Sequence, residues 1–145
     1  MNFAIYFFNE DVNYRIRHKR LIKDWIQKTI LKEGKTPGSI NIILCSDEYL
    51  VKLNEKYLKH DTFTDIITFD NSDKEIVSGD LYISIQRVKE NALTYLQNTV
   101  DELHRVIIHG ILHLCGYDDK SENESAKMRA AESFYLSQRP VNLTQ

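Results

Sequence analysis

Apolar residues follow two kinds of spacing along the chain, and segments of the two kinds are interspersed without a regular order. Short apolar or alternating runs between polar turns are typical of strands, whereas apolar residues that recur every three or four positions are typical of amphipathic helices. The strand pattern occurs at residues 2–8, 39–45, 65–70 and 76–85. The helix pattern occurs at residues 14–32, 47–58, 86–98, 99–114 and 122–138. These interspersed elements predict an α+β fold, a small four-stranded mixed sheet packed with about five helices, in a single domain of residues 1–145.

Turn and capping residues mark the boundaries of these elements. The cluster at residues 34–38 contains two glycines and a proline, and predicts a break before the second strand. Ser46 is placed as the N-cap of the next helix. Residues 99–102 and 121–124 both match a capping box and predict two helix starts. Gly79, inside the fourth strand, predicts a bulge or a close backbone approach, with the substrate as a candidate for the approaching group.

The second half of the helix that ends near residue 114 is apolar except for two histidines. His109 and His113 are four residues apart, so both lie on one helix face and can converge on one cation. Gly116 follows where a helix would end, and the turn it allows can return Tyr117, Asp118 or Asp119 to the histidines. Two histidines with one returning ligand leave a coordination position open, as in catalytic zinc sites.

The alternative interpretation is that this histidine spacing arises by chance. Imidazoles in so apolar a helix then need other polar partners, because their burial is otherwise costly. The two carboxylates after Gly116 supply a partner of the type a metal site requires, which favours metal binding. A zinc peptidase is disfavoured, since Gly110 stands where such enzymes place the glutamate that acts as general base.

The stretch HGILHLCGYDD resembles the signature of the YbeY family, bacterial endoribonucleases that act in ribosomal RNA maturation. The family pattern H-G-x-L-H-L-x-G-Y-D-H carries three histidines that bind a zinc ion. It is matched at His109, Gly110, Leu112, His113, Leu114, Gly116, Tyr117 and Asp118. The resemblance extends upstream, in family order, through Leu53-Asn54, Tyr57, Asp61, Thr64-Asp65, Thr68-Phe69 and Gly79-Asp80. It therefore covers most of the chain.

The resemblance implies a metal-dependent endoribonuclease that acts on single-stranded regions of small-subunit ribosomal RNA, with ribosomal RNA and the ribosome as partners. It implies one Zn²⁺ per chain, and assigns no catalytic group beyond a metal-bound water. One alternative is a non-catalytic ribosome-assembly factor whose metal is structural. Another is a different metal-dependent hydrolase. The sequence does not set the oligomeric state.

Two positions depart from the family pattern. Asp119 stands where the family has its third histidine, and Leu58 stands where it usually has an arginine implicated in nuclease activity. We predict His109, His113 and Asp119 as the metal ligands. The carboxylate makes Mn²⁺ or Mg²⁺ an alternative to Zn²⁺, because harder cations prefer oxygen ligands. Arg87 is a candidate to replace the missing arginine as a substrate contact, against the simpler interpretation of a solvated helix-start residue.

Other polar residues are weighed as neighbours of the site. Asp118 aligns with a family aspartate that we interpret as support for a ligand, and His60 and Asp80 are candidates for contacts to metal ligands or substrate. Cys115 is two residues beyond His113 and should point away from the metal-binding face of the helix. His104 should likewise turn away and be packed or exposed.

Charge and cysteine content constrain the partners and the compartment. The 145 residues carry a formal net charge of −2, whereas nucleic-acid-binding domains are more often basic, so RNA contacts must depend on a local patch. The densest basic run is residues 15–23, either a phosphate-contacting patch or a solvated helix face. Two cysteines, no apolar run of membrane-spanning length and no secretory signal predict a cytoplasmic protein without a membrane partner.

Overall fold

A four-stranded mixed sheet lies at the centre of the fold, in a computed structural model that describes residues 4–58 and 64–144. Its strands are β1 (Ala4–Asn9), β2 (Thr36–Cys45), β3 (Ile66–Asp70) and β4 (Ile76–Ser84). Their order across the sheet is β1-β2-β4-β3. β2 pairs in parallel with β1 and β4, and β3 pairs antiparallel with β4. The predicted four-stranded mixed sheet and α+β class are confirmed.

Helices cover both faces of this sheet. They are α1 (Lys19–Lys32), α2 (Asp47–Leu53), α3 (Ile85–Thr94), α4 (Thr99–Leu114) and α5 (Glu122–Ser137). A π-helical turn, Asn54–Leu58, continues α2, and a 3₁₀ turn, Val141–Thr144, follows α5. Five α-helices in the described part of the chain agree with the predicted number. Within those same residues, none of the helices is both long and apolar enough to cross a bilayer.

Two hydrophobic clusters lie on opposite faces of the sheet. The larger one packs α1 and α4 against the sheet and includes Ile26, Ile42, Leu81, Ile107 and Ile111. The smaller one lies on the α2 side and consists of Cys45, Leu50 and Ile67. Because successive strand residues face opposite ways, Leu44 belongs to the larger cluster and its neighbour Cys45 to the smaller.

Helix α4 lies unusually close to the sheet at Gly110. A Cβ atom there would be 2.7 Å from Ile66 Cδ1 and 2.9 Å from Leu81 Cδ2, so a larger residue fits only if these two side chains move. The close approach predicted at Gly79 is also present. Its neighbours, however, are the Phe69 carbonyl of β3 and the Leu114 side chain, not a substrate, so that expectation was wrong.

The sequence placed the start of α1 too early. The helix begins at Lys19 rather than at residue 14, because His18 adopts a left-handed conformation with φ 59° that interrupts helical geometry. Ile16 still packs into the larger core, although it precedes the helix. The basic run is therefore an irregular segment that leads into the first turn of α1, and not one continuous helix face.

Two other boundaries also differ from the sequence patterns. Pro37 and Gly38 lie within β2 rather than in a turn, at the point where the register with β4 shifts. The cap of α4 is Asn98, whose side chain accepts a hydrogen bond from the Asp101 amide, so Thr99 is already the first helical residue. The second capping box, Ser121 with Glu124, is confirmed at the start of α5.

His104 is a buried polar residue of α4 that faces away from the two other histidines of the helix. Its ring packs edge-on against Trp25, and its Nδ1 accepts a hydrogen bond from Arg139 Nη1 at 2.9 Å. Burial lowers the pKa of His104 to about 4, and the positive charges of Arg139 and His18 act in the same direction, while Asp101 opposes them. His104 is therefore neutral in the folded protein at pH 7.

We predict that His104 makes folding stability sensitive to mild acid. The unfolded state binds a proton near pH 6.5 and the folded state only near pH 4. The stability associated with neutral His104 is thus fully present above pH 6.5 and is lost as the pH falls towards 4. This difference corresponds to about 3 kcal/mol at most. His104→Asn should flatten the dependence of the free energy of unfolding on pH across this window, measured by urea titration.

His18→Asn is the matched control, because His18 is exposed and Asn tolerates its left-handed backbone. This variant should keep most of the wild-type pH dependence. If the free energy of unfolding of His104→Asn depends on pH as steeply as that of wild type, His104 is not the group responsible.

Candidate metal centre

His109 and His113 lie on one face of α4, above the edge of the sheet formed by β3. Their rings are 4.6 Å apart between centroids, and both side chains are partly exposed. The close packing at Gly110 sets the distance of this helix face from β3. The sequence prediction that α4 places the two imidazoles side by side is therefore confirmed by the geometry.

The chain reverses direction immediately after α4. Gly116 has a φ of 109°, and the amides of Gly116 and Tyr117 donate hydrogen bonds to the carbonyls of His113 and Leu112. These two bonds form a Schellman-type cap, which needs a residue with positive φ at the position of Gly116. The turn returns the following residues to the face of α4 that carries the histidines.

Asp119 is the residue that this turn brings to the histidines. Its carbonyl accepts a hydrogen bond from Ser125 Oγ in the first turn of α5. Its amide donates to Asp118 Oδ1 at 3.1 Å, so Asp118 holds the backbone of its neighbour. The Asp119 side chain remains about two-fifths exposed and points to the imidazoles.

Each imidazole is oriented through its Nδ1 atom. His109 Nδ1 lies 2.5 Å from Glu132 Oε2, and His113 Nδ1 lies 3.0 Å from the Tyr117 carbonyl oxygen. An ionised carboxylate and a carbonyl can only accept hydrogen bonds, so both Nδ1 atoms carry the proton and donate. In the neutral rings each Nε2 is then left with an unprotonated lone pair.

The two Nε2 atoms and one carboxylate oxygen converge on a single point. The Nε2 atoms of His109 and His113 are 3.1 Å apart, and Asp119 Oδ2 lies 3.4 and 3.5 Å from them. Two facing lone pairs and a carboxylate repel one another unless a proton or a metal cation lies between them. A tetrahedral ion with ligands at about 2.0–2.2 Å separates those ligands by about 3.3–3.6 Å. The two nitrogen–oxygen distances lie within this range and the nitrogen–nitrogen distance lies just below it, so the spacing is close to that of a divalent metal site.

Glu132 of α5 and Arg105 of α4 support this group, and the sequence patterns did not reveal either. Glu132 Oε1 accepts from Arg105 Nη1 at 3.2 Å, while Arg105 also donates to both carboxylate oxygens of Glu102. Burial opposes ionisation of Glu132, but the hydrogen bond from His109 and the charge of Arg105 lower its pKa. The hydrogen bonds that Arg105 donates to Glu102 and Glu132, with the charges of these carboxylates, raise the pKa of Arg105 although burial opposes the shift.

No local pattern singles out Glu132, because it lies 23 residues after His109 on another helix. Arg105 does have a signal in the sequence. It precedes His109 by four residues, so it belongs to the same helix face as the two histidines.

The ligand group lies in an open cavity of about 930 Å³ between α4, β3 and the turn after α4. Asp65 lies at its wall, 3.6 Å from Arg105, and burial raises the pKa of its carboxyl although the charges of Arg105 and His109 oppose the shift. Thr68 also lines the cavity. Its buried hydroxyl has no hydrogen-bond partner among residues 4–58 and 64–144. A cavity of this size can admit part of a polymeric substrate beside the metal group.

Two of the remaining predicted site residues, Asp80 and Arg87, do not line the cavity that holds this group. Asp80 is on the sheet face turned away from α4 and accepts a hydrogen bond from Asn41. Arg87 begins α3 and forms ion pairs with Asp47 and Glu90 at 2.8 and 2.9 Å. His60 lies outside the described residues. The substrate contacts assigned to these three positions stay predictions.

Cys115 and His104 take no part in the metal group. Cys115 is buried in the larger core cluster, and burial raises the pKa of its thiol to about 12. His104 is enclosed between α1 and α5, as described above. The structure agrees with the expectation that both side chains point away.

The sequence matches the family described as endoribonuclease YbeY over residues 5–139. Endoribonuclease YbeY of Cytophaga hutchinsonii is 48% identical over 137 residues, which cover 94% of this chain and 96% of that protein. Endoribonuclease YbeY of Porphyromonas gingivalis is 48% identical over 132 residues, which cover 91% of this chain and 87% of that protein.

The fold is similar to a solution structure of a protein from Thermotoga maritima. The two share 28% sequence identity with a TM-score of 0.65, and the match covers 93% of this chain and 88% of the other. The sequence matches span nearly the whole chain at almost half identity. On this basis the chain belongs to the endoribonuclease YbeY family, as the signature in α4 predicted.

Proposed function

We propose that this protein is a metal-dependent endoribonuclease that cleaves single-stranded regions of ribosomal RNA. The observation that carries the proposal is the convergence of His109 Nε2, His113 Nε2 and Asp119 Oδ2 on one point inside an open cavity. The relatives named above carry the name endoribonuclease YbeY, and the family match over residues 5–139 includes every residue of this site. The ribosome as partner and the cytoplasm as compartment remain inferences from the sequence.

The ligand set fits a divalent cation, with His109, His113 and Asp119 as the residues that hold it. When bound, such a cation supplies a Lewis acid for a phosphoryl oxygen and acidifies water. Glu132 fixes the tautomer of His109, and the Tyr117 carbonyl fixes that of His113. Arg105 holds Glu132 in place and is itself held by Glu102. These contacts keep both imidazoles oriented without rearrangement when the cation binds.

Asp119 bears on the identity of the cation. A carboxylate in place of an imidazole lowers the net charge of the ligand set by one and favours harder cations. Zn²⁺ accepts two imidazoles and a carboxylate, and it is our first choice. Mn²⁺ and Mg²⁺ are the competing cations.

The first prediction of this function concerns RNA cleavage itself. The metal-loaded protein should cleave ribosomal RNA, and EDTA should abolish the cleavage, because the ligand residues alone supply no Lewis acid. His113→Ala should also lose activity, whereas Glu122→Gln, an exposed change at the start of α5, should cleave as wild type does. Absence of cleavage with Zn²⁺, Mn²⁺ and Mg²⁺ alike would instead favour a non-catalytic assembly factor.

A second prediction separates the roles of the two adjacent aspartates. Asp119→Ala should weaken Zn²⁺ binding strongly, since it removes a ligand atom. Asp118→Ala should weaken it by about tenfold, because it removes only the acceptor that holds the Asp119 amide. Isothermal titration of Zn²⁺ and Mn²⁺ into both variants measures this difference. Wild-type affinity in Asp119→Ala would show that Asp119 is not a ligand.

A third prediction concerns Glu132. In Glu132→Gln the side chain keeps a single acceptor oxygen, and because Arg105 offers only donors, the oxygen turns to Arg105 and the amide N–H group faces His109 Nδ1. The affinity for Zn²⁺ should therefore fall by about 10–100-fold. Nitrogen-15 NMR of the histidine rings should also show His109 losing its fixed Nδ1–H tautomer. Glu122→Gln is the control on the same helix, and unchanged affinity and tautomer in Glu132→Gln would refute the role of Glu132.

A further inference from the structure

A second cavity adjoins the one that holds the metal group. It has a volume of about 570 Å³ and lies between α4, α5 and the turn that joins α3 to α4. Arg105 lines both cavities. We call this second cavity the α4–α5 groove, and its outer wall contains Tyr95, Gln97, Arg129 and Arg139.

One row of residues on α4 runs along the floor of the metal cavity and of the α4–α5 groove. Asp101, Arg105, His109 and His113 follow one another at intervals of four residues and so lie on the same helix face. At 1.5 Å per residue, the row from Asp101 to His113 is about 18 Å long. A strand of RNA whose phosphate lies at the metal group can therefore continue past Arg105 into the α4–α5 groove.

The charges of the groove permit a polyanion to enter it. Its acidic residues are each paired with arginine, since Glu102 and Glu132 bind Arg105 and Asp101 binds Arg139. Arg129 on α5 is exposed and has no ion pair within residues 4–58 and 64–144. This leaves one guanidinium at the wall of the groove that can bind phosphate.

The wall formed by the α3–α4 turn offers an exposed aromatic ring. Tyr95 directly follows α3 and is 64% exposed. Large aromatic side chains more often bury most of their surface against other residues. Aromatic rings of this kind stack on the unpaired bases of single-stranded RNA, and arginines bind the phosphates between them.

We propose that the α4–α5 groove binds the single-stranded RNA next to the cleaved bond, with Tyr95 stacked on a base and Arg129 on a phosphate. This inference deepens the proposed endoribonuclease function and rests on it. A protein partner is the competing occupant, because Leu93 and Leu96 beside Tyr95 are also exposed. RNA is favoured because the groove is continuous with the metal cavity through Arg105. An RNA strand bound at the metal group would extend along α4 into the groove, whereas a protein partner would not require this continuity.

The test measures binding of fluorescein-labelled RNA to the zinc-loaded protein by fluorescence anisotropy, with the intact RNA verified on a gel. Tyr95→Ala should weaken binding of single-stranded RNA by about tenfold, the typical loss for one stacking contact. Binding of a duplex of the same sequence should not change, because its bases are already stacked. Tyr95→Phe should restore the affinity, since it keeps the aromatic face.

Arg129→Ala tests the phosphate contact independently. The slope of log affinity against log salt concentration should become shallower by about 0.7, as expected for the loss of one phosphate contact on a single strand. Tyr6→Ala and Lys28→Ala are matched controls at exposed positions of β1 and α1, and both should bind RNA as wild type does.

Wild-type RNA affinity in Tyr95→Ala and an unchanged salt slope in Arg129→Ala would overturn the proposal and leave the exposed turn to a protein partner. Equal weakening for single-stranded and duplex RNA would also overturn it, since stacking cannot cause that. These outcomes are distinct from failure of the proposed function, in which the wild-type protein itself does not cleave RNA.

Discussion

Two imidazole nitrogens that face each other at 3.1 Å are the constraint on which the rest of the site depends. Each ring donates its Nδ1 proton to a fixed acceptor, so neither can turn its Nε2 lone pair away without breaking a hydrogen bond. Asp119 adds negative charge to the same point instead of relieving the repulsion. A metal cation, or a proton on one imidazole, makes this arrangement favourable, and the contacts around both rings maintain it.

The fold positions the site through a few close contacts around α4. Gly110 lets the helix approach β3 and β4, and Gly116 lets the chain return Asp119 to the helix face that it has just left. Helix α5 then crosses α4 and supplies Glu132, while its first turn holds the Asp119 carbonyl through Ser125. The metal ligands thus come from one continuous segment, and Glu132, which orients His109, comes from elsewhere in the chain.

This division explains how much of the site the sequence could predict. His109, His113 and Asp119 lie within eleven residues, so helical periodicity and one glycine turn are enough to bring them together. Glu132 could not be predicted, because its position depends on how α5 packs against α4. The family resemblance added the expected activity, although it could not indicate that Glu132 and Arg105 support the histidines.

The fold class could be predicted because strand and helix periodicities differ clearly along the chain. Errors occurred where local geometry overrides periodicity. His18 adopts a left-handed conformation that delays α1, and Pro37 lies inside β2 at a register shift that tolerates it. At the start of α4, Asn98 supplies the cap one residue before the predicted capping box. Each of these depends on one backbone conformation or side-chain contact that residue patterns do not encode.

X-ray absorption spectroscopy of the zinc-loaded protein tests the central claim most directly, because it reports the ligands around the ion itself. We predict two imidazole ligands per zinc and only nitrogen or oxygen atoms as ligands, at about 2.0–2.2 Å from the ion. A sulfur neighbour at about 2.3 Å would place Cys115 in the site. That result, or a spectrum without the outer-shell scattering of imidazole rings, would contradict the assignment of His109, His113 and Asp119.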